Sequence, residues 1–242
     1  MIPSGPLFKW FGSKWLSAKK LPRPEYASIV EPFAGGAGYS LRHAAHNVRL
    51  YERDPHIFAL WKWLTDEASE AAIREIPLGV PEGTDIRTLG LSHGQQLLLK
   101  NWQRTNNVGD CWTVSPWGSK PGQWTASTRA RVAEEVQCVK HWRIVGADGL
   151  LAFDSEARTW FVDPPYEHNY QYRSKTRLDY ERLAARLREC KGQVICCEAV
   201  CQKTGAVPTW LPFEFFGERI TSRRKASNNH HSRELIWVSH KV

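Results

Sequence analysis

Asp163, Pro164, Pro165 and Tyr166 lie in the stretch TWFVDPPYEH (159–168), where an acid, two prolines and an aromatic follow a strand-favouring run. Thr159, Trp160, Phe161 and Val162 favour a strand, and proline cannot donate to a ladder, so pairing ends where Asp163 begins. In an open α/β sheet, ligands bind at the carboxyl ends of strands. A carboxylate and a ring held there by stiff backbone suit a binding site, as they also suit an ordinary rigid turn. A second group lies in EPFAGGAG (31–38). There Gly35, Gly36 and Gly38, with Phe33 in the same turn, leave room for the backbone to bend sharply and for a cofactor to approach a helix N-terminus. Neither the G-K-[ST] ending that cradles a triphosphate nor the regular G-x-G-x-x-G spacing is present. Glu52 ends the next strand run, seventeen residues after Gly35, and a carboxylate there can accept both hydroxyls of a ribose. Asp148, after WRIV, is a candidate for the adenine end of the same cofactor.

Positioning these groups takes an α/β fold. ASIVEPFAGGAGYSLRHAAHNVRLYERD reads as strand (Ser28–Glu31), glycine turn, helix and strand (Val48–Glu52), a βαβ pattern implying parallel strands and a right-handed crossover. PHIFALWKWLTDEASEAAIREI reads as one helix, started by Pro55 and stopped near Pro77. From Leu78 to Lys140, turn-rich pieces surround one helical segment, HGQQLLLKNWQ, which predicts an insertion rather than another βα unit. Strand patterns resume at Trp142–Val145 and Thr159–Val162. An amphipathic helix in LDYERLAARLREC follows, then a strand at Gln193–Cys197 and two terminal runs, FEFFGERI and RELIWVSH, joined by the basic loop TSRRKASNNHHS. The expected organisation is a mostly parallel sheet with an antiparallel C-terminal hairpin. Residues 1–77 and 141–242 would form the catalytic domain, and 78–140 a small inserted lobe.

The 242 residues carry a net charge of +8 and a pI of about 9.3, which favours a polyanionic partner such as nucleic acid. Twelve tryptophans, several among basic and polar residues, supply faces for bases as well as for core. The six cysteines show no paired C-x-x-C spacing. Cys190, Cys196, Cys197 and Cys201, with His230 and His231, therefore read as packing groups rather than a metal site, and no metal is expected. No apolar run reaches bilayer-spanning length and MIPSGPLFKWFGSK lacks a signal-peptide core, so the expectation is a cytoplasmic protein with no membrane partner.

FKWFGSK (8–14), EPFAGGAG (31–38), Glu52 and DPPY (163–166) resemble, in order and spacing, the motifs of Dam-type adenine-N6 DNA methyltransferases, which use S-adenosylmethionine. The resemblance extends to RRKASNNHHSREL near the end and is loose over 78–140. It implies a Rossmann-like methyltransferase sheet, an inserted DNA-recognition lobe, double-stranded DNA as substrate, and a monomer with no obligate protein partner. Residue by residue, Trp10 and Lys14 match cofactor contacts, the lysine near the cofactor's carboxylate. Glu52 matches the ribose acid, where many members have Asp. Asp163 matches the acid of the D-P-P-Y motif and a cofactor-side group, and Tyr166 its base-stacking aromatic. The extra glycine in AGGAG and the longer acid at 52 depart from the pattern.

Under that resemblance the opening turn has a physical task. An exocyclic amine is a poor nucleophile because its lone pair is delocalised into the ring. Asp163 can accept one of its hydrogens and the Pro164 carbonyl the other, while the prolines fix both acceptors before substrate arrives. The adenine has to leave the duplex to reach them, and Tyr166 is the ring on which it would stack. Within 78–140, Arg104, Asn106, Asn107, Lys120, Gln123, Arg129 and Arg131 are of types that read base edges or phosphates. Trp102, Trp112, Trp117 and Trp124 are expected to pack a core. Arg219, Arg223, Arg224, Lys225 and Arg233 suit phosphate clamping. Three alternatives stay open: cytosine-N4 methylation, whose enzymes more often have Ser where Asp163 stands; RNA or protein-amide methylation, which an Asn at that position would have favoured; and a catalytically silent DNA-binding relative.

Overall fold

The computed structural model describes residues 1–103, 111–116, 118, 123–167, 178–199, 208–210, 218–225 and 231–241. β1 (Ser28–Glu31) buries Ile29 and Val30 completely and ends on Glu31. α1 (Gly38–Arg42) returns the chain to β2 (Asn47–Tyr51), which lies parallel to β1 with Ile29 opposite Val48. α2 (Pro55–Lys62) starts where its sequence predicts. Asp54 accepts from the His56 and Ile57 amides, and Pro55, which has no amide hydrogen to leave unpaired, begins the helix.

The single helix expected as far as Pro77 is broken. After a widened turn at Trp63–Glu67, Ser69 caps a new helix, α3 (Glu70–Arg74), by accepting from the Ala72 amide. Serine competes for nearby backbone donors and so favours a cap over a helix interior, an effect that apolar periodicity does not register. α4 (His93–Trp102) opens on a capping box of Ser92 and Gln95, and α5 (Ala126–Glu135) on Thr125. β3 (Arg143–Val145), β4 (Ala157–Val162), α6 (Tyr180–Glu189), β5 (Lys191–Ala199), β6 (Glu218–Lys225) and β7 (His231–Lys241) complete the order.

β3, β2, β1, β4 and β5 lie side by side in that order, all parallel. With its helices this is an α/β arrangement consistent with a Rossmann-like fold. The chain steps outward from β1 through β2 to β3 and then returns to β4 on the other side of β1, so strand order reverses between β1 and β4. Beyond β5, the backbone of β7 runs antiparallel to it, and β6 pairs antiparallel with β7 at the sheet edge. Arg223, Arg224 and Lys225, expected in a loop, lie in the last part of β6, opposite Arg233, Ser232 and His231. Charged residues suit an edge strand, where they discourage further pairing.

Residues 192–199, GQVICCEA, fall in β5, with Cys196 and Cys197 fully buried. One apolar cluster contains Leu7, Phe8, Trp15, Trp61 and Phe161; another contains Val30, Trp160, Val162, Leu183 and Leu187. The stretch 78–140, expected to be a lobe of its own, adds Leu97, Leu98, Trp102, Trp112, Trp124 and Val132 to the first cluster. A piece that short buries too little apolar surface by itself, so its described residues share the core beside the sheet. Among the described residues, no helix is long and apolar enough to cross a membrane.

Candidate functional site

The reversal of strand order puts the carboxyl ends of β1 and β4 where open α/β sheets bind ligands. The glycine turn leaves β1 there, and Asp163–Tyr166 leaves β4. The N-terminal segment lies across both. Lys14, only 4% exposed, donates to the two Asp163 carboxylate oxygens at 2.7 and 2.6 Å and to the Gly12 carbonyl at 3.1 Å. The Tyr166 hydroxyl donates to Asp163 Oδ1 at 3.0 Å, and the Lys14 ammonium stands 5.2 Å from the centre of the Tyr166 ring. Charge-assisted bonds to both oxygens fix the plane of the carboxylate as well as its place.

Gly35 takes a left-handed φ of +46°, and a Cβ there would meet the Trp10 indole at 2.6 Å. At Gly38 a Cβ would lie 2.3 Å from the Trp15 backbone nitrogen. The group that closes on these glycines is thus the chain's own segment from Trp10 to Trp15. Glu52 reaches from the end of β2 to the same turn: Oε2 accepts from the Gly35 amide at 2.9 Å and Oε1 from the Asp54 amide at 2.8 Å. Burial raises the Glu52 pKa, against the opposing pull of these amides. The Trp61 indole donates to the Gly35 carbonyl at 2.7 Å, so the peptides on either side of Gly35 are both held.

Asp148, past the end of β3, accepts from the Leu150 amide at 2.9 Å and pairs with Arg53 at 3.4 Å. The next residue, Gly149, lies against the Pro32 carbonyl and the Phe33 ring. Contacts thus join Glu52, Gly35 and Trp10 in one set and Lys14, Asp163 and Tyr166 in another, the N-terminal segment carrying both Trp10 and Lys14.

Two buried acids at this edge escaped the reading of the sequence. Glu31, 2% exposed, accepts from the Ser40 amide at 2.8 Å. Burial pushes its pKa up to about 8, with Asp163 adding to the rise and Lys14 opposing it. Glu198, fully buried in β5, accepts from the Trp210 indole at 2.9 Å and from the Glu167 amide at 3.4 Å. Their shared signal was an acid ending or interrupting an apolar run, in SIVE and in VICCEAV. Such acids are rarely buried without a partner.

The residues expected to read DNA, or to pack the stretch 78–140, are described only in part. Arg104, Asn106, Asn107, Trp117 and Lys120 lie outside the described residues. Arg129 donates to the Ile76 carbonyl at 2.9 Å, and Arg131 donates to the Pro6 carbonyl at 2.8 Å while pairing with Glu135. Gln123 accepts from Lys9. For Arg219, Arg223, Arg224, Lys225 and Arg233 the ladder places the backbone. No protein-family model and no curated protein matches the chain.

Proposed function

We propose that this chain is an S-adenosylmethionine-dependent DNA methyltransferase acting on N6 of an adenine flipped out of duplex DNA. The observation that carries the reading is the D-P-P-Y turn at the switch point of a parallel sheet, one strand from the glycine turn, with Lys14 bonded to its acid. The residues present fit the cofactor's chemistry. Glu52 offers acceptors suited to ribose hydroxyls, and Trp10 and Phe33 half-buried ring faces, while the three N–H groups of Lys14 are taken by Asp163 and the Gly12 carbonyl, so its ammonium serves the carboxylate of Asp163. Asp148 and the turn glycines complete that set. Bound S-adenosylmethionine supplies an electrophilic methyl on a sulfonium.

The chain's own residues orient the amine. Asp163, its carboxylate held by Lys14 and Tyr166, accepts one amine hydrogen, and the Pro164 carbonyl accepts the other. Acceptors set before substrate binds favour a nitrogen lone pair turned out of conjugation with the ring. The Tyr180 hydroxyl occupies the Pro165 carbonyl at 2.6 Å, which leaves the substrate role to Pro164. Tyr166 stacks on the extruded base. Residues 78–140, with Arg104, Asn106 and Lys120, form the recognition element, and Arg129 is taken up by the Ile76 carbonyl. Arg223, Arg224 and Lys225, in the C-terminal antiparallel strands, are assigned to phosphates, in keeping with the net charge of +8.

Incubation with methyl-labelled S-adenosylmethionine and mixed-sequence duplex DNA, followed by digestion to nucleosides, tests the reading. Label in N6-methyladenine is the expected result. Label in N4-methylcytosine moves the target to cytosine, and DNA binding with no transfer makes the chain a silent relative.

A further inference from the structure

A turn made of two prolines is difficult to anchor. Pro164 and Pro165 have no amide hydrogens, so their own backbone can tie the turn to the rest of the fold only through its carbonyls. β4 fixes its first end through the ladder with β5, as far as Val162 opposite Cys196. Its far end is held from behind. The Glu167 amide, directly after Tyr166, donates to Glu198 Oε2 at 3.4 Å, and the Trp210 indole donates to the same oxygen at 2.9 Å. Trp210 also packs on Tyr180, ring centres 5.3 Å apart, and the Tyr180 hydroxyl closes the circuit on the Pro165 carbonyl at 2.6 Å. Thr209 adds two bonds of 3.3 Å, from its amide and its hydroxyl, to the Glu167 carboxylate.

We infer that Glu198 is a positioning residue for the D-P-P-Y turn. This fully buried carboxylate, one strand away from Asp163, fixes where the turn presents Asp163, the Pro164 carbonyl and the Tyr166 ring. Burying a carboxylate is costly unless it is hydrogen-bonded, and here its bonds run to the segment after Tyr166 and to the tryptophan that buttresses Tyr180. Cys196 and Cys197 precede it in the strand, so an alanine or leucine at 198 would satisfy the apolar pattern of β5 better. The acid is explained by the turn it holds. The kinetic part of the inference rests on the proposed methyl transfer; the anchoring part does not.

The test uses the full chain with Glu198→Gln, which keeps a carbonyl acceptor, Glu198→Leu, which removes it at similar size, and Tyr180→Phe, which frees the Pro165 carbonyl while keeping the ring. Hydrogen exchange is read on the peptide spanning 163–167, and steady-state methyl transfer on DNA. In Glu198→Leu, exchange at the Glu167 amide rises about tenfold or more, while Glu198→Gln stays near wild type. Transfer by Glu198→Leu falls about 100-fold in kcat with the cofactor KM nearly unchanged, as expected for a misplaced acceptor rather than a lost binding contact. Tyr180→Phe shows the same split at smaller size, and it decides the case if Glu198→Leu does not fold. Unchanged exchange in Glu198→Leu overturns the inference. So do equal losses in the Gln and Leu variants, or a loss confined to KM. If the wild-type chain transfers no methyl group, the functional reading fails, and exchange alone decides the role of Glu198.

Discussion

Replacing Glu31 by glutamine removes a titration that the fold makes costly. Glu31 is 2% exposed, and burial raises its pKa from 4.5 to about 8. The folded chain therefore binds that proton more tightly than the unfolded chain does. The stability linked to it is fully present below about pH 4.5 and is lost as pH rises through about 8. At about 1.4 kcal/mol for each pH unit between those values, the loss is roughly 5 kcal/mol. Glu52, also raised by burial, slopes the same way. His43 slopes the other way: burial lowers its pKa to about 4, so it costs stability as pH falls below its ordinary 6.5. The Glu31 and His43 slopes then largely cancel between about pH 4.5 and about pH 6.5, and wild-type stability should decline above about pH 6.5, where His43 no longer offsets Glu31. In Glu31→Gln the side chain keeps an acceptor for the Ser40 amide but has no proton to lose. Urea unfolding followed by tryptophan fluorescence, from about pH 5 to about pH 9, compares the two proteins at constant m-value. The variant gains on wild type by several kcal/mol across that range. Two curves with the same pH slope would refute the assignment of the proton to Glu31.

Asp163→Ala should abolish methyl transfer while cofactor binding, followed by equilibrium dialysis, stays measurable; full activity in that variant removes the acceptor mechanism. Gly38→Ala, whose Cβ would sit 2.3 Å from the Trp15 nitrogen, should cost about 3 kcal/mol and about 10 °C in Tm. Gly79→Ala meets nothing within 4 Å and carries only its φ of +65°, so it should cost about 1 kcal/mol; equal losses by calorimetry would contradict the packing of the N-terminal segment on the glycine turn. Arg223→Ala combined with Arg224→Ala should reduce the slope of log affinity for duplex DNA against log salt by about 2. An unchanged slope would take these arginines off the phosphates.

Much of the sheet was legible because its signals are local. Ile29–Val30, Trp160–Val162 and Val194–Cys197 are apolar runs buried on both faces, and a parallel central strand needs no more than that to announce itself. Turn chemistry is local too, so the glycine bend, Glu52 and the proline turn were all visible. The break before Ser69 was not, because one hydroxyl capping one amide outweighs a continuing apolar period. Whether 78–140 has its own core is a long-range matter. Trp102 donates to the Leu7 carbonyl across 95 residues, and nothing near Trp102 encodes that partner. The same limit hid the bond between Lys14 and Asp163, which are 149 residues apart. For Arg129 and Arg131, side-chain type was readable but direction was not; both donate to carbonyls of their own chain.

The N-terminal segment explains why these pieces belong to one site. Leu7 and Phe8 are buried in the core, and Phe8 meets Trp61 edge-on at 5.1 Å, the tryptophan that holds the Gly35 carbonyl. α4 fixes the Leu7 carbonyl through Trp102, and α5 fixes the Pro6 carbonyl through Arg131 and the Ser4 amide and hydroxyl through Glu135. With residues 4–8 held in this way, the segment from Trp10 onward is laid over the glycine turn, and from it Lys14 reaches Asp163. The glycines then have a double reason: the bend needs a left-handed residue at 35, and the segment that carries Lys14 leaves no room for a side chain at 38. The described part of 78–140 thus contributes to the site from a distance, by clamping the strand of chain that orients its carboxylate.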